Sequence, residues 1–139
     1  MNVEQEKQFM KQVFAADGRN FHCWNYRRWL SNALTGKVGF ESDLEDTFYL
    51  IEKDFSNYSC FYHRYLCLNE MDAEKKELER LKELEFVKNC LQISPNDESL
   101  WTYFALICTQ KELEFVREII DTLDESDFRP YLYFAKLVI

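Results

Sequence analysis

Residues 17–30 read "DGRNFHCWNYRRWL", and residues 54–67 read "DFSNYSCFYHRYLC" at an offset of 37. Both stretches carry aspartate, asparagine, cysteine and arginine at matching positions, and aromatic rings at two more. A third copy, "SPNDESLWTYFALI" at 94–107, lies 40 residues further on and places Trp101 where the second copy has Phe61. Self-similarity with this period indicates a solenoid of repeated supersecondary units.

Each repeat is predicted to be a pair of helices. The first helix is amphipathic, with apolar residues on one face: Leu44, Phe48 and Ile51, then Leu84, Val87 and Leu91, then Leu113, Val116 and Ile120. Ser42 and Glu45 have the spacing of a capping box at one helix start. A short polar turn leads into the second, aromatic helix. We therefore predict an all-α fold, an α-α superhelix of antiparallel hairpins in one domain of residues 1–139, with the last hairpin at 111–139.

The composition supports helices and excludes several functions. Only three glycines and two prolines occur in 139 residues, which favours helices joined by short loops. A formal charge of −8 disfavours binding to nucleic acid. The sequence contains no run of eighteen apolar residues, so we expect no membrane span. The five cysteines include no C-x-x-C pair, so we expect a reduced, cytoplasmic protein that uses them as small apolar residues.

The aromatic helices supply the candidate binding residues. Trp24 and Arg27 lie three apart, so the arginine stem can lie along the indole face. Phe61 and Arg64 repeat this arrangement. Such regularity is typical of packing between hairpins or of contact with a partner. The residues assigned to these roles are Asn20, Phe21, Trp24, Arg27, Asn57, Tyr58, Arg64 and Trp101.

One stripe of the second aromatic helix has the residue types of a metal site. Cys60, His63 and Cys67 lie at i, i+3 and i+7, and thiolate and imidazole are ligands that zinc prefers. A closed site needs a fourth ligand, and no matching pair is near in the sequence. Cys60 also recurs as Cys23 in the first repeat, which indicates a packing position. We therefore predict no metal or cofactor in this chain.

The repeated pattern Asp-x-x-Asn-aromatic-x-x-Trp-x-x-Arg, followed by "SPNDESLWTYF", resembles the α subunits of protein prenyltransferases. It is most similar to the type II geranylgeranyltransferase branch, which modifies Rab GTPases. The resemblance covers about residues 5–110. Family α subunits have further repeats, one with a lysine near the diphosphate, and this chain offers no counterpart to it. We therefore expect either a shortened α subunit or part of a longer one.

The resemblance implies a subunit of a heterodimeric transferase that is inactive alone. The β subunit of that family holds the zinc and the isoprenoid pocket, and joins a cysteine thiolate of a Rab-type GTPase to the C1 of geranylgeranyl diphosphate. An escort protein can present the GTPase. His22 matches a histidine that faces the diphosphate, and Phe21 matches a neighbouring tyrosine, without its hydroxyl.

Two other interpretations compete with a catalytic subunit. The chain can be a non-catalytic interaction module that keeps the repeats and has lost the enzyme, and the missing lysine repeat favours this. A generic tetratricopeptide-like scaffold is a weaker alternative, because the hairpins are aromatic where that family uses alanine and glycine.

Overall fold

The computed structural model describes residues 1–122, which contain helices and no strand. The helices are α1 (Val3–Ala16), α2 (Phe21–Thr35), α3 (Asp43–Lys53), α4 (Tyr58–Asn69), α5 (Ala73–Ile93), α6 (Glu98–Ile107) and α7 (Leu113–Thr122), with a 3-10 turn at Gln110–Glu112 before α7. The chain divides into two compact units, Met1–Asp72 and Ala73–Ile139. The prediction of a single domain stays a prediction, and most of the last predicted hairpin, 111–139, lies outside the described residues.

Successive helices form antiparallel hairpins, as predicted. In the first, Tyr26 Oη donates to Glu6 at 2.8 Å, and Cys23 Sγ lies 3.9 Å from the Met10 carbonyl oxygen. A residue further along α2 (Tyr26 after Cys23) therefore contacts an earlier residue of α1 (Glu6 before Met10), which is the order of an antiparallel pair. The second hairpin has the same order, and its Cys60 thiol donates to the Thr47 carbonyl at 3.6 Å. The predicted all-α fold of helical hairpins is therefore confirmed within each unit.

The repeated asparagine begins the aromatic helices. Asn20 caps α2 by accepting from the Cys23 N–H at 3.1 Å, and Asn57 caps α4 by accepting from the Cys60 N–H at 3.0 Å. Asp97 has this role in α6, where it accepts from the Leu100 N–H at 3.0 Å. Each cap satisfies an amide that has no partner inside its own helix. The motif's asparagine or aspartate therefore fixes where the second helix of each hairpin starts.

The capping box predicted at Ser42 and Glu45 is wrong. Ser42 is the N-cap of α3 but makes no side-chain capping bond, because its hydroxyl donates instead to Asp46 Oδ2 at 2.7 Å. A capping box forms instead at the 3-10 turn, between Thr109 and Glu112.

Polar bonds join the turns of the first unit's two hairpins. The Gly18 carbonyl accepts from Trp24 Nε1 and from Asn57 Nδ2, both at 3.0 Å. Arg19 pairs with Asp54 at 2.8 Å. An added Cβ at Gly18 would lie 2.9 Å from Asn57 Nδ2, so a glycine permits this close approach. The equivalent tryptophan in the third hairpin, Trp101, donates to the Pro95 carbonyl at 2.6 Å.

The buried face of α3 differs in part from the predicted one. Ile51 is fully buried as expected, but Leu44 and Phe48 are only half-buried. The residues that α3 buries beside Ile51 are Asp43, Thr47 and Leu50. The apolar period therefore missed a fully buried aspartate in the first turn of α3. Among the described helices, none is both long and apolar enough to span a bilayer.

Candidate functional site

Each hairpin contains the same hydrogen bond between an acid on its first helix and a ring on its second, 20 residues later. Tyr26 donates to Glu6 at 2.8 Å, His63 to Asp43 at 2.7 Å and Tyr103 to Glu83 at 2.6 Å. The repeat offsets of 37 and 40 relate all three pairs. The pair is thus a repeated part of the fold, and the middle hairpin differs by using histidine and aspartate.

The middle pair is the centre of a buried polar cluster in the first unit. Arg27 reaches it from α2, with Nη2 at 2.7 Å from Asp43 Oδ1 and Nε at 3.2 Å from the same oxygen. His63 Nε2 lies 2.7 Å from Asp43 Oδ2, and Cys67 Sγ lies 3.6 Å from His63 Nε2. Asp43 and His63 are 0% exposed. Among the described residues, every buried side-chain nitrogen and oxygen has a hydrogen-bond partner.

The cluster changes the protonation of its members. Burial alone would raise the pKa of Asp43, but hydrogen bonds from His63 and Arg27 outweigh burial and lower that pKa from 3.8 to about 2. Burial lowers the pKa of His63 below 6.5, against the opposing effect of Asp43. Burial and then the Asp43 charge raise the pKa of the Cys67 thiol to about 12. At neutral pH the cluster therefore holds one carboxylate, one guanidinium, a neutral imidazole and a thiol.

The neighbours of His63 define its tautomer. Arg28 Nη1 lies 3.4 Å from His63 Nδ1, and a guanidinium only donates, so Nδ1 is the acceptor. The ring proton is then on Nε2, which donates to Asp43. The indole of Trp24 lies against the same ring, with centroids 4.9 Å apart. Trp24 of the first hairpin thus covers the histidine of the next hairpin.

The two repeated arginines both donate hydrogen bonds to α3. Arg27 links the two hairpins of the first unit through Asp43, and Arg64 donates to the Leu44 carbonyl and to Thr47 Oγ1 on α3. Arg27 lies over the Phe40 ring at 5.6 Å and Arg64 over Phe48 at 5.7 Å. The carboxylate of Asp43 and the carbonyl of Leu44 direct the guanidinium groups toward α3, and the alignment of the arginine stems along the aromatic rings three residues earlier stays a prediction.

His22 and Phe21 occupy the exposed first turn of α2. Phe21 is 62% exposed, and its ring lies 4.0 Å from the His22 ring, centroid to centroid. His22 is exposed as well. The structure therefore leaves both side chains accessible to a partner, and their predicted roles stay predictions.

The other predicted site residues are used inside the fold. Trp24, Asn57 and Trp101 are at most 2% exposed. Asn20 is a half-buried helix cap. Tyr58 is half-buried and stacks on Tyr62 with centroids 6.2 Å apart. Most of the predicted binding set therefore packs hairpins, and among these residues Phe21 is an exposed one.

A cleft of about 520 Å³ opens between α1 and α3 in the first unit. Two of its lining residues are lysines. Lys7 pairs with Asp46 at 3.5 Å, and Lys11 lies over the Tyr49 ring at 5.3 Å. The lining also includes acids such as Glu45, so the cleft has no uniform positive charge suited to a diphosphate.

The predicted stripe of Cys60, His63 and Cys67 divides in the structure. Cys60 turns toward the Thr47 carbonyl, whereas Asp43 joins His63 and Cys67, and the three donor atoms lie within 4.8 Å of one another. Sequence reasoning missed Asp43. The signal was present in the repeat, since acid and ring recur at a spacing of 20 in all three copies.

Known proteins share the repeats that form these hairpins. The model of the protein prenyltransferase alpha subunit repeat matches residues 3–34, 40–71 and 80–110, one match for each of the first three hairpins. Geranylgeranyl transferase type-2 subunit alpha of Rattus norvegicus is 36% identical over 110 residues, which cover 73% of this chain and 19% of that protein. The subunit of the same name from Saccharomyces cerevisiae is 26% identical over 129 residues, covering 86% of this chain and 37% of the yeast protein.

The chain thus spans about a fifth of the length of its mammalian relatives. No solved structure matches it significantly. The family match covers more than half of the chain and follows the hairpins that the structure defines. The chain therefore belongs to the protein prenyltransferase alpha-subunit repeat family.

Proposed function

We propose that this chain acts as the α subunit, or part of one, of a heterodimeric protein geranylgeranyltransferase of type II. The observation that carries this proposal is the run of three family repeats, each coinciding with a hairpin, in a chain 36% identical to type-2 α subunits. The protein substrates would be Rab-type GTPases with C-terminal cysteines, presented with or without an escort protein. The expected location is the cytoplasm.

The chemistry would take place mainly on a β-subunit partner. Zinc held by that partner would lower the pKa of the substrate thiol, whose thiolate attacks C1 of geranylgeranyl diphosphate. A carbon–sulfur bond forms, the bond from C1 to the diphosphate oxygen breaks, and diphosphate leaves. This chain would supply the hairpin scaffold, and His22 would donate toward the leaving diphosphate. The isolated chain is then expected to be inactive.

Co-purification tests the subunit assignment. The tagged chain is expressed in its source cell and recovered at low salt, and the eluate is probed for a prenyltransferase β subunit and assayed for transfer of labelled geranylgeranyl to a Rab-type C-terminus. An active, zinc-containing pair is the expected result. Recovery of the chain without a β subunit would overturn the proposal.

His22→Ala then tests contact with the chemistry. Loss of one donor to a developing anion commonly costs a factor of about 100 or more in rate, so we expect at least a tenfold fall in transfer by the intact pair. Asn25→Ala, also exposed on α2, is the matched control and should leave transfer unchanged. Equal activity of both variants would remove His22 from the site.

A non-catalytic interaction module is the second candidate. The burial of four motif residues favours this account, because few motif residues are then left for catalysis; the four are Trp24, Arg27, Asn57 and Trp101. On this account the chain binds a partner through the exposed turn at Phe21 and His22. The recovered complex would then transfer no isoprenoid, although a partner is present.

A further inference from the structure

The buried cluster between α3 and α4 contains three metal-ligating groups. Asp43, His63 and Cys67 are all buried, and one donor atom from each lies within 4.8 Å of the others. Carboxylate oxygen, imidazole nitrogen and thiolate sulfur are the three protein donor types that zinc accepts. Rigid helices hold all three, because Asp43 is on the first turn of α3 and the other two are one turn apart on α4.

Comparison of the hairpins shows that these groups are specific to the middle one. The positions equivalent to His63 are Tyr26 and Tyr103, and those equivalent to Cys67 are Leu30 and Ile107. The flanking hairpins thus make the acid–ring hydrogen bond with tyrosine and fill the neighbouring position with an aliphatic side chain. Packing of this fold does not require histidine or cysteine here. Two ligand-type residues nevertheless occur together, beside the repeated acid.

The distances suit a single zinc ion after a small adjustment. Two donors on a tetrahedral zinc, with Zn–S of about 2.3 Å and Zn–N of about 2.0 Å, lie about 3.5 Å apart. Cys67 Sγ and His63 Nε2 are 3.6 Å apart. His63 Nε2 and Asp43 Oδ2 are 2.7 Å apart, so an ion would have to separate them by roughly 0.6 Å.

Arg27 and Gly39 border the three donors. Arg27 makes its shortest bond, 2.7 Å, from Nη2 to Asp43 Oδ1, and its Nε lies 3.2 Å from Oδ1 and 3.3 Å from Oδ2, the oxygen that faces His63. Arg27 can therefore stay on Oδ1 and orient a metal-bound carboxylate, as outer partners of metal ligands do. Gly39 borders the cluster, where an added Cβ would lie 2.3 Å from Cys67 Sγ and 3.2 Å from Asp43 Oδ2. Position 39 therefore needs glycine, because the Cys67 sulfur lies close against its backbone.

We propose that Asp43 Oδ2, His63 Nε2 and Cys67 Sγ form a site for one zinc ion, with water as the fourth ligand. Binding deprotonates the Cys67 thiol, and the imidazole proton moves from Nε2 to Nδ1 as Arg28 withdraws. One proton is released to solvent for each zinc bound. The carboxylate and the thiolate balance the charge of the dication, and Arg27, still hydrogen-bonded to the carboxylate, has Asp46 at 3.9 Å as its counter-charge. The site is separate from any zinc that a partner subunit would hold.

Cobalt substitution tests the site on the full chain freed of metal by a chelator. Cobalt(II) should bind at one ion per chain and give a sulfur-to-cobalt charge-transfer band with the visible bands of a tetrahedral centre, and zinc should abolish both. Cys67→Ala and His63→Gln should each weaken binding at least tenfold, since even outer-shell changes cost about 10–100-fold. Cys60→Ala removes a thiol of the same hairpin from outside the cluster and should leave binding unchanged.

Two results would overturn the proposal. One is binding of much less than one ion per wild-type chain, and the other is binding that survives both Cys67→Ala and His63→Gln. Circular dichroism checks that each variant keeps its helices. Where a variant does not fold, cadmium-113 NMR of the wild-type chain decides instead, because its chemical shift distinguishes a site with one sulfur ligand from binding by oxygen and nitrogen alone.

Discussion

The first two hairpins make the same hydrogen bond in different surroundings. Tyr26 and Glu6 are half-exposed, whereas His63 and Asp43 are 0% exposed, although the two bonds differ by only 0.1 Å in length, at 2.8 and 2.7 Å. Water can replace a lost partner in the first hairpin but not in the second. Equal geometry in two repeats therefore does not mean an equal contribution to stability.

The third hairpin shows that burial alone does not call for histidine. Tyr103 is 0% exposed, and its hydroxyl donates to the buried Glu83 at 2.6 Å. In the second hairpin the acid also pairs with the guanidinium of Arg27, whose Nη2 lies 2.7 Å from Asp43 Oδ1. Repeats of one sequence pattern can thus form the buried acid–ring bond with either tyrosine or histidine.

The largest expected difference between the hairpins is in the unfolding free energy that is lost when the acid is replaced by its neutral amide. Asp43→Asn keeps the shape of the side chain but leaves Arg27 buried without its nearest counter-charge, since Asp46 is 3.9 Å away and 40% exposed. Breaking a buried ion pair in this way costs about 3–5 kcal/mol. Urea unfolding followed by circular dichroism measures the change.

Glu6→Gln is the matched change in the first hairpin. We expect only a small fraction of the Asp43→Asn effect, because solvent reaches Glu6 and no buried arginine depends on it. Similar losses in the two variants would show that burial and Arg27 do not set the difference.

The pH dependence of stability is the next effect in size. The pKa of Asp43 is lowered from 3.8 to about 2 in the folded chain, so its contribution is present above pH 4 and is lost as the pH falls to about 2. A shift of this size corresponds to about 2 kcal/mol. Acid unfolding of Asp43→Asn should lack this part of the transition.

His63 adds a milder dependence at higher pH. Its pKa is below 6.5 in the folded chain, so the unfolded chain takes up the proton first and stability falls as the pH drops below about 6.5. His63→Gln should flatten the stability curve between pH 7 and pH 5. A curve that keeps its slope in His63→Gln would contradict the protonation assigned to the cluster.

The smallest expected effects come from the two tyrosines. Tyr103→Phe removes a buried donor to a charged group and should cost about 1–2 kcal/mol. Tyr26→Phe should change the urea midpoint little, because solvent reaches the Glu6 carboxylate. A larger loss for Tyr26→Phe than for Tyr103→Phe would reverse the proposed ranking by exposure.

The sequence predicted the hairpins well because their signals are local and repeated. Asn20, Asn57 and Asp97 recur at the helix starts, and each one is the N-cap of an aromatic helix. Ser42 looked equally suitable, yet Asp46 and Lys7 engage its hydroxyl. Ser42 makes no capping bond because of contacts with other side chains, and the residues around a helix start do not reveal such contacts.

The buried cluster was harder to predict, because the helical spacing of apolar residues on α3 places its acidic residues on the exposed face. Asp43 breaks that rule because a cation from another hairpin, Arg27, compensates its burial. Pairing between residues 16 apart on different hairpins depends on how α2 and α3 pack. The acid–ring spacing was visible in the repeat, whereas the identity of the arginine's partner required the structure.

The distribution of cysteines gives each of the first three hairpins its own reporter of opening. Cys23, Cys67 and Cys90 are buried on α2, α4 and α5, and burial raises the pKa of all three thiols. A buried thiol with a raised pKa reacts slowly with an alkylating reagent until its surroundings unfold. Mass spectrometry of chains alkylated for increasing times would therefore order the hairpins by local stability, with no label added to the protein.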